Sequence, residues 1–261
     1  MRIATWNVNS VNARLPTVLD WFGQAQPDVA CLQEIKCVDD KFPREAFEDL
    51  GYNVETHGQK SYNGVALLSK FPLSDVRRGL PGDDSDEQAR YIEALVEAPS
   101  PVRVASIYLP NGNPLGTEKF AYKLAWLDRL RAHAQALLAE ERPTVLCGDY
   151  NVIPTDDPDD VFSAKAMASD ALMQPESRQA LRRILNLGFT DAIRARYPEG
   201  AVYTFWDYTA GCWQRDAGFR IDHLLLSAQA ADRLRDAGVD KDYRGREKAS
   251  DHAPTWVELE D

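Results

Sequence analysis

Short apolar runs recur along the chain with the length and composition of strands. They cover residues 2–8, 28–33, 63–69, 91–97, 102–109, 144–149, 220–226 and 253–259. Helical periodicity occupies residues 14–24, 43–50, 117–141 and 177–187. The longest of these opens on Thr117, whose hydroxyl suits an N-cap. The last closes at Gly188, which suits a left-handed C-cap. Strands and helices alternate at first, a run of strands follows, and alternation then resumes. That order predicts an α/β protein with two mixed β-sheets packed together and flanked by helices, not one purely parallel sheet. Residues 154–176 carry Pro154, Pro158, Pro175 and several aspartates. They read as an ordered surface excursion rather than a boundary, so residues 1–261 read as one domain.

The polar residues that interrupt this pattern fall at strand ends. Asn7 closes the first strand and Glu34 the second. Asp149 and Asn151 close the run at 144–149. Asp222 and His223 open a late strand, and Asp251 and His252 precede the last one. Strands of opposite direction bring opposite ends to the same sheet edge. If the late strands run antiparallel to the early ones, all these residues meet. Gathered carboxylates repel one another and are costly without a cation. Hard oxygen donors of this kind suit magnesium or manganese. Each residue also has a bland reading. Asn7 can cap a turn, Glu34 can sit on the surface, Gly148-Asp149 can be a simple turn, and Asp251-His252 can lie in a solvated loop. Asp222 is harder to dismiss, because acids are depleted in strand interiors.

The 261 residues are 44% hydrophobic and 27% charged, enough apolar material for a large core. The net charge of −11 argues against a general nucleic-acid binder, since phosphate contacts call for Lys and Arg. Acids around a divalent ion and a locally basic groove would reconcile the two. Four cysteines show no C-x-x-C spacing, so neither a zinc site nor disulfides are expected. Cys31 and Cys147 read as buried small hydrophobes. The residues from Met1 onward have no apolar leader, and no run is long enough to span a membrane, so a cytoplasmic location is expected.

The ordered motifs are T-W-N-V-N-S, C-L-Q-E-I-K, L-G-Y-N-V with H-G-Q-K, N-G-V-A-L-L-S, Y-L-P-N-G, G-D-Y-N-V-I-P-T-D, Y-T-F-W-D-Y, R-I-D-H-L-L-L-S and S-D-H-A-P. Together they resemble the exonuclease III family of the endonuclease/exonuclease/phosphatase superfamily, over about residues 1–258. The resemblance implies a four-layered α/β sandwich. It implies a magnesium-dependent phosphodiesterase, with manganese as the alternative, that cuts 5′ to abasic sites and removes 3′ nucleotides or 3′ blocking groups. Its partner would be double-stranded DNA, and the protein a monomer.

Site roles follow from the same resemblance. Glu34 matches the principal metal ligand, with Asn7 and Asp251 near the metal or its waters. Asp149 matches the group that activates water or handles the leaving group, and Asn151 the amide orienting that water or the phosphate. Asp149, Asn151 and His252 are counted with the metal site as well. His252 would touch the scissile phosphate, held by Asp222. Tyr108 would bond the phosphate; whether it or Asp149 activates water stays open, as does one metal or two. Asn111 is a candidate DNA contact. Phe205, Phe219 and Ile221 match the walls of a pocket that takes a flipped bare sugar. The stretch 241–248 is densely basic, which nominates Arg244 and Arg246 for phosphate contacts, with Arg77, Arg78 and Lys119 as further candidates. Trp213 and Arg215 lie in a loop where an aromatic could stack on bases. One departure stands out: Asn113-Pro114-Leu115-Gly116 lacks the arginine that some relatives insert into DNA.

Two other classes compete. A lipid or small-molecule phosphodiesterase shares G-D-x-N and S-D-H but predicts no aromatic pocket. Phe205, Trp206, Trp213 and Phe219 count against it. A non-catalytic binding module predicts decayed acids, and these are intact.

Overall fold

The computed structural model describes residues 1–260. The first sheet contains β1 (Arg2–Asn7), β2 (Val29–Gln33), β3 (Asn53–His57) and β4 (Val65–Ser69). The second contains β5 (Leu73–Arg78), β6 (Tyr91–Val96), β7 (Val102–Tyr108), β8 (Thr144–Asp149), β9 (Thr190–Asp191) and β10 (Asp222–Leu226). The last two strands, β11 (Leu234–Val239) and β12 (Thr255–Leu259), return to the first sheet. The strand orders are β11-β12-β1-β2-β4-β3 and β5-β6-β7-β8-β10-β9.

The helices are α1 (Leu15–Ala25), α2 (Arg44–Glu48), α3 (Glu118–Leu138), α4 (Ala164–Met167), α5 (Pro175–Leu185), α6 (Ala192–Arg196) and α7 (Ala228–Ala231). Thr117 caps α3 as expected, its hydroxyl accepting from the Lys119 amide. Gly188 does not cap α5. That helix begins earlier, with Pro175 in its first turn, and its C-cap is Asn186.

The core explains the layering. Ile3, Cys31, Val65, Ile92, Val104, Cys147 and Leu224 meet between the two sheets. Alternate residues of the same strands face outward. Ala4, Trp6 and Leu32 pack under α1 with Trp21 and Phe22. Ala105, Leu146 and Leu225 pack under α3 and α5 with Trp126, Leu130 and Ile184. Because both faces of the central strands are covered, they read as continuous apolar runs. Each such side chain contributes about 1.5–3 kcal/mol on burial.

Direction then sets the site. β1 is parallel to β2, and β12 is antiparallel to β1. In the other sheet β7 is parallel to β8, and β10 is antiparallel to β8. The ends of β1, β2, β7 and β8 therefore share an edge with the beginnings of β10 and β12.

Candidate active site

Asp149 lies at the centre of that edge. Its register partners are Tyr108 on β7 and Asp222 on β10. The close approach depends on Gly148, where an added Cβ would lie 1.9 Å from the Ile107 carbonyl oxygen. The Asp149 carboxylate accepts from the Asn7 amide at 3.0 Å and from the Asn151 backbone N–H at 2.9 Å. Burial pushes its carboxyl above the usual carboxylate range. His252 opposes that rise, Asp222 adds to it, and Asn7 opposes it.

His252 Nδ1 bonds the Asp222 carboxylate at 2.8 Å, the contact expected from sequence. Its Nε2 lies 3.7 Å from Asp149, beyond a good hydrogen bond. Burial works against charging the ring, but the carboxylates of Asp222, Asp149 and Asp251 together hold it well above its ordinary value. Nδ1 is committed to Asp222, which leaves Nε2 as the ring nitrogen turned toward Asp149 and the cavity.

Glu34 stands at a positive φ of 50° just beyond β2. One carboxylate oxygen accepts from Asn7 at 3.0 Å and from the Tyr108 hydroxyl at 2.7 Å. The other lies 2.8 Å from Lys36 Nζ. Burial raises its pKa, but the bonds from Asn7, Lys36 and Tyr108 outweigh that and hold it down. Tyr108 is driven well up by burial and by the Glu34 and Asp149 charges, so it is a neutral phenol. Asp251 is linked to this group through Asn9, whose amide lies 3.3 Å from it.

Asn7 and Asn151 act as braces. Asn7 donates to both Glu34 and Asp149, and Asn151 donates to the Leu109 carbonyl at 2.9 Å while accepting from Asn111 at 3.2 Å. Among the described residues no three His, Cys, Asp or Glu side chains converge as a metal cage. Glu34, Asp149 and Asp251 line one cavity together with the amide of Asn151. That donor set fits a hard cation that keeps most of its water and takes substrate oxygens, as magnesium does, and does not fit zinc.

A cavity of about 670 Å³ opens over these groups, lined by Glu34, Tyr108, Asn111, Asp149, Asn151, Asp251 and His252. Phe205, Phe219, Ile221, Leu172 and Met167 form its apolar wall. Phe205 stacks on Phe219 at 4.6 Å and meets the His252 ring edge-on at 4.9 Å. Residues 154–176 supply much of the wall, so that excursion belongs to the site. Arg215 lines the rim and is exposed.

The expected DNA contacts separate. Arg244 is only 7% exposed, and its guanidinium donates to the Trp206 and Asp207 carbonyls. It clamps the loop beyond Trp206, which corrects its assignment as a free phosphate contact, and only an edge of it reaches the groove lined by Arg246 and Lys248. Trp213 is half-buried, edge-on to Trp206 at 5.2 Å with Arg244 beside it at 5.8 Å. The packing against Trp206 and Arg244 covers part of its ring. Arg77 and Arg78 are engaged with Asp75, Glu93 and Glu55. Arg246 pairs with Asp20 at 3.0 Å, yet with Arg14, Tyr208 and Lys248 it lines a second groove of about 410 Å³. That groove adjoins the site through Asn9, which bonds Tyr208 and Asp251.

Sequence reasoning passed over several residues. Lys36 and Asn9 lie inside motifs already noticed, two places from Glu34 and Asn7. Arg90 stacks 4.8 Å over the Tyr108 ring. Thr204 accepts from the Ile221 and Asp222 amides, each at 3.1 Å, and so aims Asp222. Only its place in Y-T-F-W-D-Y hinted at this.

Acids, a phenol and an imidazole fixed by a carboxylate meet at the edge of two packed mixed sheets beneath an open cavity, an arrangement suited to hydrolysing phosphate esters. The Endonuclease/Exonuclease/phosphatase family profile matches residues 4–252, and the chain belongs to that family. Within it the chain stands with the exonuclease III group. It is 35% identical to exodeoxyribonuclease III of Haemophilus influenzae over 99% of this chain and 100% of that protein. It is 32% identical to the DNA repair nuclease APEX1 of Danio rerio, over 99% of this chain and 82% of that protein. A structure of the 3′ phosphatase NExo from Neisseria bound to a product DNA hairpin superposes with a TM-score of 0.95 at 40% identity, covering 100% of this chain and 99% of that one. An AP endonuclease from Archaeoglobus fulgidus superposes with a TM-score of 0.94 at 37% identity, each chain fully covered.

Proposed function

We propose that this protein is a DNA-repair phosphodiesterase that hydrolyses duplex DNA 5′ to abasic sites and removes nucleotides or blocking groups from 3′ ends. The observation that carries the reading is the His252 ring, fixed by Asp222 at 2.8 Å and facing a cavity with Phe205 and Phe219 in its wall. A ring nitrogen there suits a scissile phosphate. An apolar wall suits a deoxyribose without its base and excludes an intact nucleotide.

Glu34 and Asp251 would hold magnesium, which supplies charge neutralisation for the phosphate and stabilises the leaving oxygen when bound. The rest of the chemistry belongs to the side chains. Asp149 takes a proton from water, and the water oxygen forms a bond to phosphorus. The bond from phosphorus to the 3′ oxygen breaks, that oxygen takes a proton from solvent to leave a 3′-hydroxyl, and Asp149 returns its proton to solvent. Asn151 orients the water, and His252 and the Tyr108 hydroxyl bond the phosphate oxygens. Tyr108 stays protonated beside Glu34 and Asp149, which favours Asp149 over Tyr108 as the base. Arg215, Asn111, Arg246 and Lys248 contact the flanking backbone.

The test is a duplex with one tetrahydrofuran abasic residue, incubated with magnesium or with EDTA. Incision on the 5′ side leaving an extendable 3′-hydroxyl, only with the metal, is expected. No incision, or equal incision in EDTA, would refute the proposal.

A further inference from the structure

Lys123 is a buried lysine that the chemistry above leaves unused, its amine pulled down to about 7 by burial. It lies on the inner face of α3 at 0% exposure and does not line the cavity. Its Nζ donates to the Asn111 carbonyl at 3.0 Å and to the Asn151 carbonyl. Both acceptors are main-chain oxygens, and the nearest opposite charges are those of Asp149 and Asp170. Gly112 leaves room for the side chain: a Cβ there would fall 2.6 Å from Lys123 Cδ.

Taking an ammonium out of water costs several kcal/mol, and two neutral carbonyls compensate poorly. Stability alone would be served as well by an apolar side chain. What the amine adds is geometry. The segment after β7 carries Tyr108 and Asn111, and the segment after β8 carries Asp149 and Asn151. Asn151 sits at a φ of 47°, a conformation that a non-glycine residue keeps only when its surroundings impose it. Lys123 is bonded to one carbonyl from each segment. A carbonyl turned toward Lys123 is also not turned toward an anionic substrate.

We infer that Lys123 is a positioning residue for phosphodiester cleavage, fixing the Asn111 and Asn151 segments against each other from beneath the site. The inference rests on the phosphodiesterase reading given above. It places a functional constraint on α3, an element that contributes no side chain to the cavity.

The test compares K123M, N151A and the double variant on the tetrahydrofuran duplex, with L130A as a control that damages the same helix. K123M is expected to lower kcat about 30-fold or more with KM within about threefold, because misplacement of about 1 Å behind a site can cost about 100-fold. In the N151A background the same change should cost less than about threefold, since the two act as a unit. A kcat loss no greater than that of L130A at matched thermal stability, or losses that multiply in the double variant, would overturn the inference. Should K123M not fold, K123R answers in its place: a tenfold or larger fall in kcat at near-constant KM is expected from its displaced charge, and an unchanged kcat overturns the role. Failure of the parent protein to cut would overturn both readings; a cutting parent with an unaffected Lys123 variant overturns this one alone.

Discussion

Arg220 and His252 are both buried basic side chains held between two aspartates, and both act on the same stretch of chain around Asp222, yet they are built differently. Arg220 is closed on every side. It bonds Asp160 at 2.8 Å and Asp191 at 2.6 Å, and Asp160 is further bonded by Arg194 and Thr155. His252 is left incomplete. It bonds Asp222 at 2.8 Å, stands off Asp149 at 3.7 Å, and lines the cavity. The second Asp222 oxygen, Oδ1, is buried without a hydrogen-bond partner. A cluster whose bonds are all satisfied holds the backbone in place. One whose ring still faces the cavity with a nitrogen short of a good hydrogen bond has a contact left to offer a substrate.

That comparison predicts opposite responses to mutation. At the open cluster, His252→Asn should lower the incision rate about 10³-fold and Asp222→Asn about 10²-fold, with the melting temperature little changed. Steady-state rates beside thermal melts check this; a large loss of stability with ordinary turnover would reverse the roles assigned to the two clusters.

At the closed cluster, Arg220→Met leaves Asp191 without its guanidinium and Asp160 with Arg194 as its remaining cation, and should cost about 3 kcal/mol of stability while the folded fraction cuts at a near-normal rate. The same cluster sets an acid limit. Burial would raise the Asp160 carboxyl, but the charge and hydrogen bonds of Arg220, with bonds from Arg194 and Thr155, bring it down to about 2. Its stabilisation is therefore complete above the unfolded value of about 3.9 and is lost as pH falls toward about 2. Denaturant melts of the parent and of Asp160→Asn should differ at pH 6 and converge near pH 2. Equal differences at both pH values would contradict the pairing.

Smaller effects belong to the rim. Phe219→Ala should reduce the preference for abasic over intact duplex about tenfold, read as a ratio of kcat/KM values. Unchanged preference would remove the stacked pair of Phe205 and Phe219 from selectivity. Smallest of all, removing Arg246 and Lys248 together should weaken duplex binding alike for all sequences and lower the salt slope by about 1–2. A parallel change at Arg244 should instead destabilise the loop beyond Trp206, because that guanidinium donates to carbonyls there.

The chain order of apolar runs was enough to locate the strands at the centre of both sheets, and the polar residues at their ends converge at one edge. The strands that escaped reading were β3, β5, β9 and β11, and each is a sheet edge. Edge strands carry polar residues and irregular register, as β5 does near Asp75 and β11 near Asp236, so they show no apolar run. The site divides in the same way. Glu34, Asp149 and Asp251 interrupt apolar patterns and can be noticed. Lys123 sits within a charged helix and Thr204 within an aromatic motif, and nothing local distinguishes a buried lysine from a solvated one. Arg244 shows the converse error, since a basic run predicts exposure that tertiary contacts cancel.

The proposed reaction turns on Asp149, which at the meeting point of both sheets would activate water on a bound DNA phosphate. Asp149→Asn keeps the shape and the braces from Asn7 and Asn151 but removes the base. The decisive measurement is single-turnover incision of the tetrahydrofuran duplex by this variant in magnesium, set beside its affinity for the uncut duplex. The account predicts a rate lower by about 10³-fold or more with affinity retained. A variant that cuts at nearly the parental rate would contradict it.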